Sequence, residues 1–273
     1  MRTLAPIRHA ALAVLAGVVA CSPFEGQDGS SASSGGGGGE SVDGGRPSGT
    51  DGGASTGDAG ASDFCAAHGG ATVCDSFERG GDIAPAWSSR AVDTKGSTLK
   101  VAGGRVRSGV GALVTQLPSP CSESYAQLVH EAQGAPAQMQ IRAEVAIVSA
   151  PTTTNVHLFG TQVSGRTGSY RVDLAISVDR LVLSENAAGS YTPHPATGKH
   201  PIGRYAHVEL TISFSTPPRA VVVVDGISQI DTGLALPELV LDPRFELGNY
   251  ALANCDKPTE TWFDDVVYTL TKR

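Results

Sequence analysis

Residues 205–226 read YAHVELTISFSTPPRAVVVVDG. Between His207 and Phe214, Val208, Leu210, Ile212 and Phe214 alternate with polar residues. Successive side chains of a strand point to opposite faces, so this period predicts one face in a core and one in water. Pro217 and Pro218 interrupt the run, Arg219 to Asp225 forms a second one, and Asp225-Gly226 is a pair suited to a tight hairpin turn. The stretch reads as consecutive antiparallel strands.

The same signal recurs on both sides. Gly111–Leu117, Met139–Val148, Val156–Val163, Tyr170–Val178, Leu181–Ser184, Phe245–Gly248 and Trp262–Leu270 are short apolar or alternating runs bounded by Gly, Pro, Ser and Asp. Ser124–Ala132 suits either a short helix or a strand, and helical periodicity is otherwise almost absent. Half-buried alternation implies antiparallel sheets packed face to face. Residues 63–273 are enough for one large domain, and a two-sheet jelly roll fits them better than a seven-strand sandwich. The expected fold class is all-β, a two-sheet antiparallel β-sandwich.

Three segments together resemble the concanavalin A-like lectin/glucanase superfamily, particularly its laminin-G-like jelly rolls. The first is Cys74-Asp75-Ser76-Phe77-Glu78-Arg79-Gly80 with Trp87 beyond it. The second is Gly203 to Leu210 followed by Val221 to Gly226, with Tyr205 where the pattern usually has Trp. The third is Trp262-Phe263-Asp264-Asp265-Val266-Val267-Tyr268. The resemblance implies that the opening and closing strands lie side by side and hold a structural calcium ion. Glu78 and Asp264 would be its side-chain ligands, and Asp75 or Asp265 weaker candidates. Hard cations take carboxylate and backbone oxygens, and two acids on adjacent strands repel unless a cation lies between them.

Enzymes of this superfamily that cut β-glucans carry a Glu-x-Asp-x-x-Glu strand, which this chain lacks; Glu144 and Glu209 each stand without a second acid at that spacing. A lyase of the fold would use His, Tyr and Arg or Gln, for which His157, Tyr170, Arg171, Tyr205 and His207 are candidates. His157 on an apolar strand ordinarily reads as a structural histidine. His194 and His200, in the Pro-rich 192–201 segment TPHPATGKHP, read as parts of an exposed loop. Sugars stack on aromatic rings, yet the chain is only 5% aromatic. Trp87 and Trp262 read as core, leaving Tyr125, Tyr191 and Tyr250 on predicted loops as ligand-binding candidates.

The first twenty residues resemble a bacterial lipoprotein leader. Arg2 and Arg8 precede an apolar run from Ala10 to Ala20, too short to span a bilayer, which needs about 20 residues. The run ends in Val18-Val19-Ala20-Cys21, like a lipobox. Cys21 would then be diacylated and become residue one of a membrane-anchored protein, with Ser22 favouring the outer membrane. Residues 21–62 follow as a linker rich in Gly, Ser and Asp, in which six acids face Arg46 alone; such composition predicts disorder with a reach of roughly 35 Å.

The chain carries −7 overall and shows no basic stripe, which excludes nucleic acid as an expected partner. With Cys21 set aside, Cys65, Cys74, Cys121 and Cys255 remain, an even number that reads as two disulfides in an exported protein. Three pairings exist; Cys65–Cys74 would close a short loop and leave Cys121–Cys255 to staple distant segments. The functional expectation is a surface-anchored, monomeric, non-catalytic binding or adhesion module that takes a glycan. The alternatives are a polysaccharide lyase or glycoside hydrolase of the same fold, or a structural envelope lipoprotein without a small ligand.

Overall fold

The structure, a computed structural model, describes residues 64–79, 83–165, 168–187, 190–236 and 240–273. The leader, Cys21 and the linker lie outside them. No helix among the described residues is long and apolar enough to cross a membrane.

Among the described residues, fifteen strands run in chain order. They begin with β1 (Val73–Asp75), β2 (Ser89–Val92), β3 (Thr98–Ala102), β4 (Ala112–Leu117), β5 (Ser124–Glu131), β6 (Pro136–Ser149), β7 (Val156–Gly165) and β8 (Gly168–Ser177). They continue with β9 (Arg180–Ala187), β10 (Ser190–Pro195), β11 (Tyr205–Ser213), β12 (Arg219–Val224), β13 (Ile227–Gly233), β14 (Val240–Ala251) and β15 (Thr259–Lys272). Seven of them form one antiparallel sheet in the order β10-β9-β8-β7-β14-β5-β2. The other eight form a second sheet, β13-β12-β11-β6-β15-β4-β3, with β1 beside β15. This is the expected all-β sandwich.

The quoted stretch folds as its period requires. Val208, Leu210 and Ile212 of β11 are fully buried, while Asp225 and Gly226 both take positive φ (49° and 79°) between β12 and β13. That is the conformation of a two-residue turn whose twist matches the flanking strands. Between the sheets, Met139, Ile141, Ala143, Val145 and Ile147 of β6 meet Leu158, Phe159, Val172, Leu174 and Ile176 of β7 and β8. Phe245 of β14 stacks on Tyr268 of β15 across the gap, with centroids 4.6 Å apart. Each such large apolar side chain contributes about 1.5–3 kcal/mol by leaving water.

Both expected disulfides are formed, with Cα atoms 5.6 Å apart for Cys65–Cys74 and 5.0 Å for Cys121–Cys255. The ambiguous segment Ser124–Ala132 is a strand, β5. The segment holding His194 is not the expected loop: residues 190–195 pair with β9 as an edge strand, the position where Pro193 and Pro195 remove no needed hydrogen bond. His200 is not exposed either. It is 4% accessible, and desolvation lowers its pKa to about 4.

Candidate active site

The outward face of the seven-stranded sheet carries a polar row that the core-facing alternation leaves on strands β5, β7, β8 and β14. On β8, Tyr170, Val172, Leu174 and Ile176 point inward, so Arg171 and Asp173 point outward. In register, Asp173 stands beside Gly160 of β7, and Gly160 beside Glu246 of β14. Arg171 bridges the gap: its Nε donates to Asp173 Oδ2 at 2.6 Å and its Nη2 to Glu246 Oε2 at 2.7 Å. Desolvation acts to lower the Arg171 pKa, but Asp173 and Glu246 outweigh it and hold the guanidinium above its usual range.

His157 joins the same network. Its Nδ1 lies 3.1 Å from Asp173 Oδ2, and both side chains are almost fully buried. Tyr250 is the register partner of His157 on β14. Its ring lies 5.4 Å from the imidazole, and the Arg171 guanidinium carbon sits 5.3 Å from its centroid. Burial raises the Tyr250 pKa, with Arg171 opposing the rise. Gln127 of β5 donates its amide to Glu246 Oε2 at 3.4 Å, and Arg244 Nε lies 2.9 Å from Glu246 Oε1.

The array sits between two cavities. One, about 450 Å³, is lined by Tyr250, Tyr125 and Leu252 together with Val92, Lys95 and Glu123. The other, about 540 Å³, is lined by Arg244, Glu131, Gln162 and Ser164 with Asp242 and Gln133. Tyr125–Tyr250 and Glu131–Arg244 are ladder pairs six residues apart, so the face extends roughly 20 Å from one cavity to the other. That is longer than a single sugar ring.

The sequence candidates are divided by the fold. His157 and Arg171 come together here with Tyr250, which lies on a strand rather than the expected loop. Tyr125 and Tyr191 are also on strands, β5 and β10, and Tyr191 hydroxyl contacts Ser184 and Asn155. Tyr170 faces the core. Tyr205 and His207 belong to the opposite sheet, where His207 contacts Glu144 and Glu209 and the Tyr205 hydroxyl donates to Arg105 carbonyl. Asp173, Glu246, Gln127 and Gly160 were not singled out by sequence. An isolated glycine inside the 156–163 strand run was the available signal, since it marks a close approach.

The residues expected to hold calcium sit elsewhere. Glu78 accepts from the Val110 and Gly111 amides at 2.6 and 3.3 Å. Asp264 Oδ2 accepts from the Arg107 and Ser108 amides, and Oδ1 from the Asp265 amide. Asp265 accepts from the Ser108 hydroxyl. Asp75 accepts from Phe77 and Ala84 amides and from Trp87 Nε1. N–H and O–H donors thus point at the oxygens a cation would need. Among the described residues no group of three or more His, Cys, Asp or Glu side chains is placed to hold a metal. Glu78, Asp264 and Asp265 fit a role in pinning the 105–111 segment and Asp75 one in holding Phe77, Ala84 and Trp87, an arrangement that does not fit a calcium cage.

No family model and no curated protein matches the chain. Among solved structures it is similar to an endo-β-1,4-glucuronan lyase from the fungus Trichoderma reesei, with a TM-score of 0.56 and 12% identity over 70% of this chain and 94% of that one. It is also similar to the cellulose-induced protein Cip1, with a TM-score of 0.57 and 14% identity over 74% of this chain and 98% of that one. The expectation of a non-catalytic binding module is corrected by these findings. It rested on analogy with lectin-like members of the fold, whereas the solved neighbours of this sandwich include a lyase, and its polar face gathers His, Tyr, Arg and acids rather than a platform of aromatic rings. At these identities the likeness establishes the architecture: the chain folds as a concanavalin A-like jelly-roll sandwich.

Proposed function

We propose that this protein is a polysaccharide lyase that cleaves a uronic-acid-containing polymer by β-elimination on the outer face of the seven-stranded sheet. The observation that carries the reading is the contact of His157 with both Asp173 and the ring of Tyr250, which lines the cavity at the Tyr125 end. The glucuronan lyase among its structural neighbours supports the same class of reaction.

In the proposed reaction His157, oriented through Nδ1 by Asp173, takes the proton at C5 of the uronate. The electrons of that C–H bond form the C4–C5 double bond as the C4–O bond breaks. Tyr250 gives its hydroxyl proton to the departing oxygen; its raised pKa keeps that proton in place until it is needed. Arg171 touches both Asp173 and the Tyr250 ring and acts as the positioning residue. A hydrolase would need one carboxyl free to act as acid and a second as base or nucleophile. Asp173 and Glu246 are instead tied to one guanidinium, which favours elimination over hydrolysis.

The test is ultraviolet absorbance from the unsaturated product when the purified protein meets glucuronan and other polyuronates. His157→Ala and Tyr250→Phe should each lower kcat roughly a hundredfold or more while melting as the parent does. Reducing ends without unsaturation would instead mark a hydrolase. We further propose that Cys21 carries the lipid that holds this enzyme at the outer membrane. Cys21→Ser should move the protein from the membrane fraction to the soluble fraction, and a membrane-retained variant would refute the anchor.

A further inference from the structure

The charge of the cleft narrows the substrate. At the Tyr125 end, Asp93 and Glu123 accompany Lys95. At the other end, Glu131 and Asp242 accompany Arg244. Between them stand Asp173 and Glu246 with Arg171. Six carboxylates therefore face three cations, of which the two arginines are already paired with acids. Arg171 holds Asp173 and Glu246. Arg244 lies 2.9 Å from Glu246 and 3.7 Å from Glu131. Lys95 Nζ donates to the Ser122 carbonyl at 2.8 Å and also contacts the Glu123 carbonyl.

A free polyuronate brings one negative charge per sugar into this field, and like charges brought together without a partner are strongly disfavoured. The chemistry adds to the difficulty. Removing the C5 proton beside a carboxylate builds a second negative charge on the same sugar, and both arginines of this face are already paired with acids. Beside an ester the same step places a single negative charge on the carbonyl oxygen. A neutral donor suffices for that charge, such as the Gln127 amide, which has two N–H groups and gives one to Glu246.

We propose that the uronate cleaved here is esterified and therefore uncharged; this rests on the lyase reading above. Atoms balance as before: the C5–H and C4–O bonds break, the C4–C5 double bond forms, and the ester leaves unchanged on the unsaturated product.

The experiment uses the full chain and two polymers, polygalacturonate and polyglucuronate, each methyl-esterified and de-esterified. Initial rates are read by ultraviolet absorbance at low and high salt. The expected result is cleavage of an esterified form about tenfold faster or more at low salt, with the gap narrowing as salt screens the cleft. Glu123→Gln and Glu131→Gln, which lie outside the reacting groups, should each raise the rate on de-esterified polymer about threefold. Equal or faster cleavage of the de-esterified polymers at low salt overturns the proposal and leaves the lyase reading standing. Absence of unsaturated product from all four substrates overturns both together.

Discussion

The guanidinium of Arg171 lies over Gly160. A Cβ added at residue 160 would come 3.1 Å from Arg171 Nη2 and would collide with Asp173 Oδ1. The missing side chain is what lets one arginine span three strands, from Asp173 on β8 to Glu246 on β14. Gly160→Ala should therefore cost activity out of proportion to stability. Displacing Asp173 and Arg171 misplaces His157, and an error of about 1 Å in a reacting group can cost about a hundredfold in rate. Parallel kcat and denaturant-melt measurements check this; an unchanged kcat would show that the His157 array does not set the rate.

Arg171→Met should destabilise the fold by about 3–5 kcal/mol, because Asp173 and Glu246 would be left buried without their shared counter-ion. The double change Arg171→Met with Glu246→Gln should recover part of that loss. Urea unfolding of the two variants beside the parent measures both numbers.

Asp264 should make stability fall as pH rises through the neutral range. Burial first, with the charge of Asp265 adding, outweighs the amides of Arg107 and Ser108 and raises its pKa from 3.8 to about 7. The folded state thus binds a proton between about pH 4 and pH 7 that the unfolded chain has already released. The contribution is fully present below pH 4 and is lost as pH climbs to 7. Unfolding free energies at pH 4.5 and 8 should differ less in Asp264→Asn than in the parent; equal differences would remove Asp264 as the cause.

The two disulfides should differ in value. In the chain-entropy account, Cys121–Cys255, with a sequence separation of 134, contributes about 5 kcal/mol, and Cys65–Cys74, with a separation of 9, about 2.6 kcal/mol. Paired Cys→Ala variants and denaturant midpoints test the order. A larger loss from the short loop would overturn the chain-entropy ordering.

Because N–H donors surround Glu78 and Asp264, EDTA and excess calcium should give the same melting temperature. A rise of several degrees with calcium would restore the calcium site.

The strands that were legible are those with one face in the core. Met139–Val148, Tyr170–Val178 and His207–Phe214 must alternate, because only every second residue meets the opposite sheet. The edge strands β2, β10 and β13 are polar or proline-bearing and carry little of that signal. Their pairing comes from the neighbouring strand rather than from burial. The site was half legible: His157 and Arg171 could be named, but the same reasoning offered Tyr170, Tyr205 and His207 equally. Strand register put those three on the core side or on the other sheet.

What the amino-acid order settles alone is therefore the period, the turn at Asp225-Gly226, the pairing parity of four cysteines and the lipobox-like segment at Cys21. Each is local, or a matter of counting. What only the tertiary structure decides is that His157, Arg171, Asp173, Glu246 and Tyr250, spread over 94 residue positions, share one face. That outcome depends on which strands are neighbours and in what register. A one-residue slip would turn every one of these side chains into the core.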